Sequence, residues 1–162
     1  YLDGSLAGIP PGTAIDAVAR IRSAGVVRTL LSFDVSAALP GGLTVDDEDV
    51  VAWNGTTWSI FIDGSANGIP ESLDVDGFDR DAVTGTLYFS FDTSGRIAAV
   101  DFDDEDVVSY DGSTWSLAFD ASAALDVTFA AGDLDALAIR AANLFRDDFE
   151  TGATLEWSST AP

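Results

Sequence analysis

The sequence predicts a single all-β domain over residues 1–162, built from repeated units of four short strands. Three observations support this prediction. Blocks of sequence recur at a nearly constant spacing, apolar residues within the blocks alternate as they do in strands, and Gly, Pro, Asp or Ser residues separate the blocks. With 162 residues, of which 47 % are hydrophobic, the chain is long enough to bury the core of one domain.

The repeat is visible in several separate blocks of sequence. Trp58 and Trp115 lie 57 residues apart, and DDEDVV begins at both Asp46 and Asp103. The N-terminal YLDGSLAGIP returns as FIDGSANGIP, and AIDAVA returns as DVDGFD and DLDALA. The chain therefore divides into a half unit, two full units and C-terminal tail strands, which cover residues 1–29, 30–86, 87–142 and 143–162.

Each unit contains four strand-like segments. In TLYFSFD, for example, Leu87, Phe89 and Phe91 form one apolar face. The pairs Asn54-Gly55 and Asp111-Gly112 predict two-residue hairpins with type I′ turns, which need positive φ at both positions. The segment DAVARIRSAGVV is compatible with a helix, but its counterparts in the other units are not. We therefore predict about 11–12 strands.

These strands predict three blade-like sheets of four strands in a pseudo-threefold, propeller- or prism-like arrangement. The chain begins inside a unit, and its tail (LFRDDFE and TLEWSST) can supply the strands that the N-terminal half unit lacks. Joining both termini in one sheet would remove exposed strand edges. If the tail pairs with a neighbouring molecule instead, the same strands would build an oligomer or a filament.

Three stretches resemble known protein families. SYDGSTWSL and GTLYFSFD resemble the hairpin and the following strand of the kelch repeat, although the double glycine of that repeat is absent. This resemblance covers about half of each unit; it implies propeller-like sheets and transfers no functional residues. The tail FRDDFETGATLEW resembles a GFESG-type segment at the ends of exported proteobacterial proteins, and residues 39–70 resemble repeats of uncharacterised secreted bacterial proteins. Both resemblances imply export and neither implies an activity.

The charge of the chain restricts its partners. Seven Arg residues face 28 Asp and Glu residues, which gives a net charge of −21 without any Lys or His. Nucleic acids and anionic membrane surfaces both require clustered cations, so we do not expect them as partners. Cationic partners, metal ions or plain solvation remain as explanations of the charge. No apolar run has the length of a membrane span, and the start at Tyr1 indicates a removed leader or a fragment. A Cys-free, Lys-free acidic composition indicates an extracellular or cell-surface bacterial protein.

The composition also argues against catalysis. Without His or Cys, the chain cannot form Ser–His–Asp or Cys–His nucleophilic centres, nor a zinc site with His or Cys ligands. A carboxylate pair could in principle hydrolyse glycosides, but repeated acids in loops do not form a matched pair with separated environments. We expect a non-enzymatic structural or adhesive module. A lectin-like carbohydrate-binding domain is the alternative, and a glycoside hydrolase is a remote one.

The two acidic runs are the candidate metal ligands. Calcium takes six to eight hard oxygen ligands, which carboxylates in flexible loops supply. The alternative is a solvated loop whose acids accept hydrogen bonds from turn backbone N–H groups. The predicted calcium ligands are Asp46, Asp47, Glu48, Asp49, Asp103, Asp104, Glu105 and Asp106.

Large aromatic residues are the candidate glycan-binding residues. Exposed aromatic rings beside acids suit a sugar, because they offer a flat apolar face together with hydroxyl acceptors. The alternative is that aromatic residues repeated on strands belong to the core or to cross-strand pairs. The predicted ligand-binding residues are Trp53, Tyr110 and Trp157, the first two of which occupy the same place in successive units.

Overall fold

The computed structural model describes residues 2–23, 25–124, 132–134 and 136–139. These residues confirm the all-β prediction, since their strands pair antiparallel and their helices are limited to single turns. In chain order the elements are α1 (Gly4–Ala7), β1 (Ile15–Ser23), β2 (Val26–Phe33), β3 (Ala37–Leu39), β4 (Leu43–Val45), β5 (Val50–Trp53), β6 (Trp58–Ile62), a 3-10 turn (Ser65–Asn67), β7 (Val75–Arg80), β8 (Leu87–Phe91), β9 (Gly95–Ile97), β10 (Val100–Phe102), β11 (Val107–Tyr110), β12 (Trp115–Phe119) and α2 (Ala121–Ala124).

The strands form two sheets with the same design. The first sheet has the order β1-β2-β5-β6, and the second has the order β7-β8-β11-β12. Along the chain, a small separate hairpin, β3–β4 or β9–β10, connects the second and third strands of each sheet, which pair directly with each other. The ambiguous segment DAVARIRSAGVV lies within the β1–β2 hairpin. Each sheet begins with the AIDAVA or DVDGFD segment, one strand earlier than the units counted from the sequence.

The tip of the β5–β6 hairpin differs from the prediction. Trp53 pairs with Trp58, so the loop has four residues, and Gly55 has positive φ while Asn54 does not. The side chain of Asn54 explains this, because its Oδ1 accepts hydrogen bonds from the backbone N–H groups of Thr56 and Thr57 at 2.9 Å each. The predicted type I′ turn is therefore wrong, and an Asx-type turn takes its place.

The β11–β12 hairpin has the same kind of turn. Asp111 Oδ1 accepts from the N–H groups of Ser113 and Thr114 at 2.9 and 2.8 Å, and these bonds lower the pKa of Asp111. Of Asp111 and Gly112, only the glycine has positive φ. The type I′ prediction is wrong here for the same reason.

The middle strands of the first sheet, β2 and β5, are buried on both faces. Leu30 and Val50 belong to a core that the two sheets share, whereas Leu31 and Val51 belong to a second core together with residues of α1 and the β3–β4 hairpin. Successive residues of a strand point to opposite faces, so a sheet that is covered on both sides needs continuous apolar segments. This explains the sequence VVAW in β5.

Candidate functional sites in the acidic runs and the aromatic hairpins

The last acid of each run is buried and holds two segments together. Asp49 lies in the turn before β5, where its Oδ2 accepts from Asp46 N–H at 3.1 Å and its Oδ1 accepts from Gly64 N–H at 2.8 Å. Asp106 repeats the arrangement before β11, with Asp103 N–H at 3.1 Å and Ala121 N–H at 3.0 Å. Each carboxylate therefore ties a tight turn to the start of the helical turn that follows the last strand of its sheet.

The glutamates beside these aspartates are also buried. Glu48 is 2 % exposed and Glu105 is 4 % exposed. Burial raises the pKa of Glu48, and its own backbone N–H offsets part of this effect. For Glu105, its backbone N–H lowers the pKa, but burial and the neighbouring Asp104 outweigh it, so that the pKa is raised. Within the described part of the chain, neither oxygen of the Glu105 side chain has a hydrogen-bond partner.

The other acids of the runs take separate positions. Asp46 is exposed, and its Oδ1 accepts from the Ser36 hydroxyl at 2.7 Å. Asp47 and Asp104 use their backbone carbonyls, which accept hydrogen bonds from the N–H groups of Val75 and Leu134 at 3.3 Å each. Among residues 2–23, 25–124, 132–134 and 136–139, no three acidic side chains form a group that could hold a metal ion. Calcium binding by the eight acids stays a prediction.

Gly64 packs directly against the first acidic run. A methyl group at Gly64 would overlap the backbone carbonyl oxygen and the Cγ of Glu48, whereas the counterpart in the second unit is Ala121, which is 3 % exposed. We expect Gly64→Ala to lower the free energy of unfolding by about 1–3 kcal/mol, because the buried backbone has to move. Ala121→Gly is the matched opposite change, with an expected loss of about 1 kcal/mol. Urea unfolding measures both, and a Gly64→Ala chain as stable as wild type would contradict the close packing at Glu48.

A second group of acids, Asp16, Asp34, Asp74 and Asp92, lies where the first strands of the two sheets approach each other. The sequence patterns did not predict this group. Asp34 Oδ1 accepts from Ala14 N–H at 2.7 Å, and Asp92 Oδ1 accepts from Asp74 N–H at 3.2 Å, so each carboxylate anchors the start of a first strand. Burial, with the negative charges of Asp16, Asp47, Asp92 and Asp76, raises the pKa of Asp74 to about 7. The only signal in the sequence is the recurrence of SFD and of the AID and DVD segments, which does not show that they converge.

The two aromatic hairpins place their rings in the same position with different surroundings. In the first hairpin the rings of Trp53 and Trp58 lie 4.8 Å apart, and Trp58 Nε1 donates to the carbonyl of Ala7 at 2.8 Å. Trp58 is buried and Trp53 is partly exposed. The hairpin tip, the α1 turn and the β3–β4 loop surround a cleft of about 370 Å³.

In the second hairpin the corresponding ring is engaged by a neighbouring side chain. Tyr110 stacks on Trp115 at 4.7 Å, and its hydroxyl lies 3.1 Å from Asn67 Oδ1. Trp115 Nε1 donates to the carbonyl of Asn67 at 3.0 Å, as Trp58 does to that of Ala7. Of the three predicted ligand-binding residues, Trp53 alone lines the cleft of the first hairpin, Tyr110 is held within a contact between units, and Trp157 lies outside the described residues.

Comparisons with other proteins add no assignment to this geometry. No helix in the described part of the chain is long and apolar enough to cross a membrane. Neither protein families, nor curated proteins, nor solved structures show a match to this chain.

Proposed function

We propose that this chain is a non-catalytic structural or adhesive module of a secreted bacterial protein, located outside the cell or at its surface, and that it works by stacking sheet units. The observation that supports this proposal most strongly is the repeated joint. In both units a buried aspartate, Asp49 or Asp106, accepts a hydrogen bond from a backbone N–H at the start of the next helical turn. The indoles of Trp58 and Trp115 likewise each donate to the carbonyl of the preceding helical turn.

The two ends of the described array support stacking as well. At the internal joint, Phe78 is buried and its ring lies 6.0 Å from that of Phe61, whereas the counterpart of Phe78 in the first unit, Val18, is 63 % exposed. At the other end, Ile62 packs against the shared core, whereas its counterpart Phe119 is 40 % exposed. Positions that are covered between the two units are therefore exposed at the two ends of the described array. This is expected of repeat units to which further units can add.

We further propose that residues 132–162 build a third sheet, which gives three blade-like sheets of four strands in pseudo-threefold arrangement. The N–H of Leu134 donates to the carbonyl of Asp104 just as that of Val75 donates to the carbonyl of Asp47, so Leu134 follows the second unit as the start of β7 follows the first. Ile139 N–H also donates to Asp79 Oδ2 of β7 at 2.7 Å. The strand that this sheet still lacks is not β1, which belongs to the first sheet. It comes from elsewhere in the same chain, or from a neighbouring molecule, which produces an oligomer or a filament.

Truncation after Ala124 tests the stacking proposal. We expect the shortened chain to unfold at a lower urea concentration than the full chain and to bind more of a dye that reports exposed apolar surface, because the second sheet loses the segment that bonds to Asp104 and Asp79. An unchanged unfolding midpoint would contradict the third sheet. Light scattering over a wide concentration range, with electron microscopy, then distinguishes closure within one chain from rings or filaments.

Calcium is proposed as a stabilising ion for this acidic module. A net charge of −21 makes the compact chain repel itself, so we expect its melting temperature to be several degrees higher in millimolar calcium than in EDTA. Sodium chloride at the same ionic strength controls for screening alone. The paired variant Asp46→Asn with Asp103→Asn should reduce the part that is specific to calcium. Identical melting curves in calcium, sodium chloride and EDTA would remove the calcium proposal.

A further inference from the structure

Among the described residues, none that lines the cleft beside Trp53 is charged, although the chain carries 28 acids. Its floor and walls come from three places, namely the α1 turn, the β3–β4 loop and the tip of the β5–β6 hairpin. The lining residues that matter for binding are Ala7, Gly41, Trp53, Thr56, Thr57 and Trp58. A cation has no counter-ion here and the net charge of −21 repels an anion, so the cleft suits a neutral ligand.

The exposed part of Trp53 is held rigidly. Its ring rests against Trp58 at 4.8 Å, and Trp58 is held by the hydrogen bond to Ala7 and by an edge contact with Phe33 at 6.4 Å. A rigid aromatic face loses little conformational entropy when a ligand stacks on it. Trp58 is 8 % exposed and belongs to the core, so Trp53 is the ring that can meet a ligand.

The rim of the cleft has unused hydrogen-bonding capacity. The hydroxyl of Thr56 donates to Asn54 Oδ1 at 3.0 Å and keeps its lone pairs, whereas Thr57 Oγ1 accepts from Asn54 Nδ2 at 2.9 Å and keeps its hydrogen. One hydroxyl can therefore accept and the other can donate, which suits the hydroxyl groups of a sugar. Gly41 leaves open space at the opposite wall, since nothing lies within 4 Å of a Cβ built there.

The second hairpin provides an internal comparison. There, Asn67 occupies the position of Ala7, and its side chain lies at hydrogen-bond distance from Tyr110, which replaces Trp53. The first hairpin has no such bridge because Ala7 carries only a methyl group. The difference between the two hairpins is therefore local. Of the two equivalent rings, Trp53 of the first unit lines a cleft, whereas Tyr110 of the second unit is held by Asn67.

We propose that the cleft binds a neutral carbohydrate, with one sugar ring stacked on Trp53 and its hydroxyl groups bonded to Thr56 and Thr57. This site is independent of the stacking proposal, because it lies within the first unit. It is also independent of calcium, because no acid lines it. A proline-rich peptide, which also packs against aromatic rings, is the competing ligand class.

Binding of the full chain to an array of neutral oligosaccharides tests this proposal, followed by titration monitored through tryptophan fluorescence. We expect binding that is equal in calcium and EDTA, and an affinity at least about tenfold lower in Trp53→Ala. Trp53→Phe keeps an aromatic ring and should retain part of the affinity. Tyr110→Phe is the matched control in the second unit and should bind as wild type does.

A larger side chain at position 7 gives a second test, in which residue 53 stays aromatic. Ala7→Asn combined with Trp53→Tyr copies the closed second hairpin, and circular dichroism confirms that each variant is folded. We expect this double variant to lose sugar binding. The proposal is overturned if no neutral oligosaccharide binds, if Trp53→Ala binds like wild type, if EDTA abolishes binding, or if the cleft takes a proline-rich peptide and no sugar.

Discussion

Replacing Asp49 with alanine is expected to lower the free energy of unfolding by about 3 kcal/mol, which corresponds to a melting temperature roughly 6–12 °C lower. The carboxylate is 8 % exposed and accepts from two backbone N–H groups, those of Asp46 and Gly64. Alanine leaves both donors without their partner, and each buried unsatisfied donor costs about 1–3 kcal/mol. Relief of charge repulsion offsets a small part of this loss, because the chain carries a net charge of −21.

Two comparisons make this prediction specific. Asp106→Ala removes the corresponding bonds to Asp103 and Ala121 and should cost a similar amount. Asp47→Ala removes an acid of the same run whose carbonyl, rather than its side chain, bonds to Val75, so this variant should be nearly as stable as wild type. Urea unfolding of the three variants measures the differences. Equal losses at Asp47 and Asp49 would contradict a stabilising role that is specific to the buried carboxylate of Asp49.

Asp74→Asn is expected to stabilise the protein at pH 8, by roughly 1–2 kcal/mol, because solvent screening at this half-buried side chain reduces the effect of the pKa shift on stability. The pKa of Asp74 is raised from 3.8 to about 7, first by burial and then by the charges of Asp16, Asp47, Asp92 and Asp76. Within the described part of the chain, its Oδ1 is buried without a hydrogen-bond partner. Asparagine has nearly the same shape and no charge to bury. The counterpart in the first unit is Ala14, so the fold does not depend on an acid at this place.

The pH dependence of this effect follows from the direction of the shift. Because the folded chain binds the proton more tightly than the unfolded chain, the stabilising contribution of protonated Asp74 is complete below about pH 4 and is lost as the pH rises to about 7. The advantage of Asp74→Asn should therefore be present at pH 8 and disappear at pH 4. Asp16→Asn should show a pH dependence of the same sign, since burial and the charge of Asp34 also raise the pKa of Asp16. An advantage that does not change with pH would contradict the raised pKa.

The strands could be predicted because they depend on local patterns. Alternating residues in TLYFSFD and the fixed spacing of Trp58 and Trp115 predicted antiparallel strands that recur, and the structure contains them. The sequence pattern did not distinguish the hairpins β3–β4 and β9–β10 from loops, because strands of three residues are too short for a periodic signal. The turn at Asn54 was predicted with the wrong geometry because its side chain competes for the backbone N–H groups that define the turn.

The candidate sites were less predictable because they depend on contacts between distant parts of the chain. The four acids from Asp46 to Asp49 look alike in the sequence, and only the hydrogen bond to Gly64, 15 residues further on, distinguishes Asp49. The raised pKa of Asp74 depends first on its burial and then on the charges of Asp16, Asp47 and Asp92, which belong to other strands or to the loops beside them. Trp53 and Tyr110 occupy equivalent positions, and their different roles follow from Ala7 and Asn67, which precede them by more than 40 residues.

Hydrogen exchange at the backbone amides of Gly64 and Ala121 tests most directly whether these units share one structural joint. Both amides donate to a buried carboxylate, at 2.8 and 3.0 Å, although neither lies within a strand. In EDTA both should exchange as slowly as amides of the sheet core, and Asp106→Asn should accelerate exchange at Ala121 while Gly64 stays protected. Rapid exchange of both amides in the wild-type chain, or protection that appears only after calcium is added, would contradict the role assigned to Asp49 and Asp106.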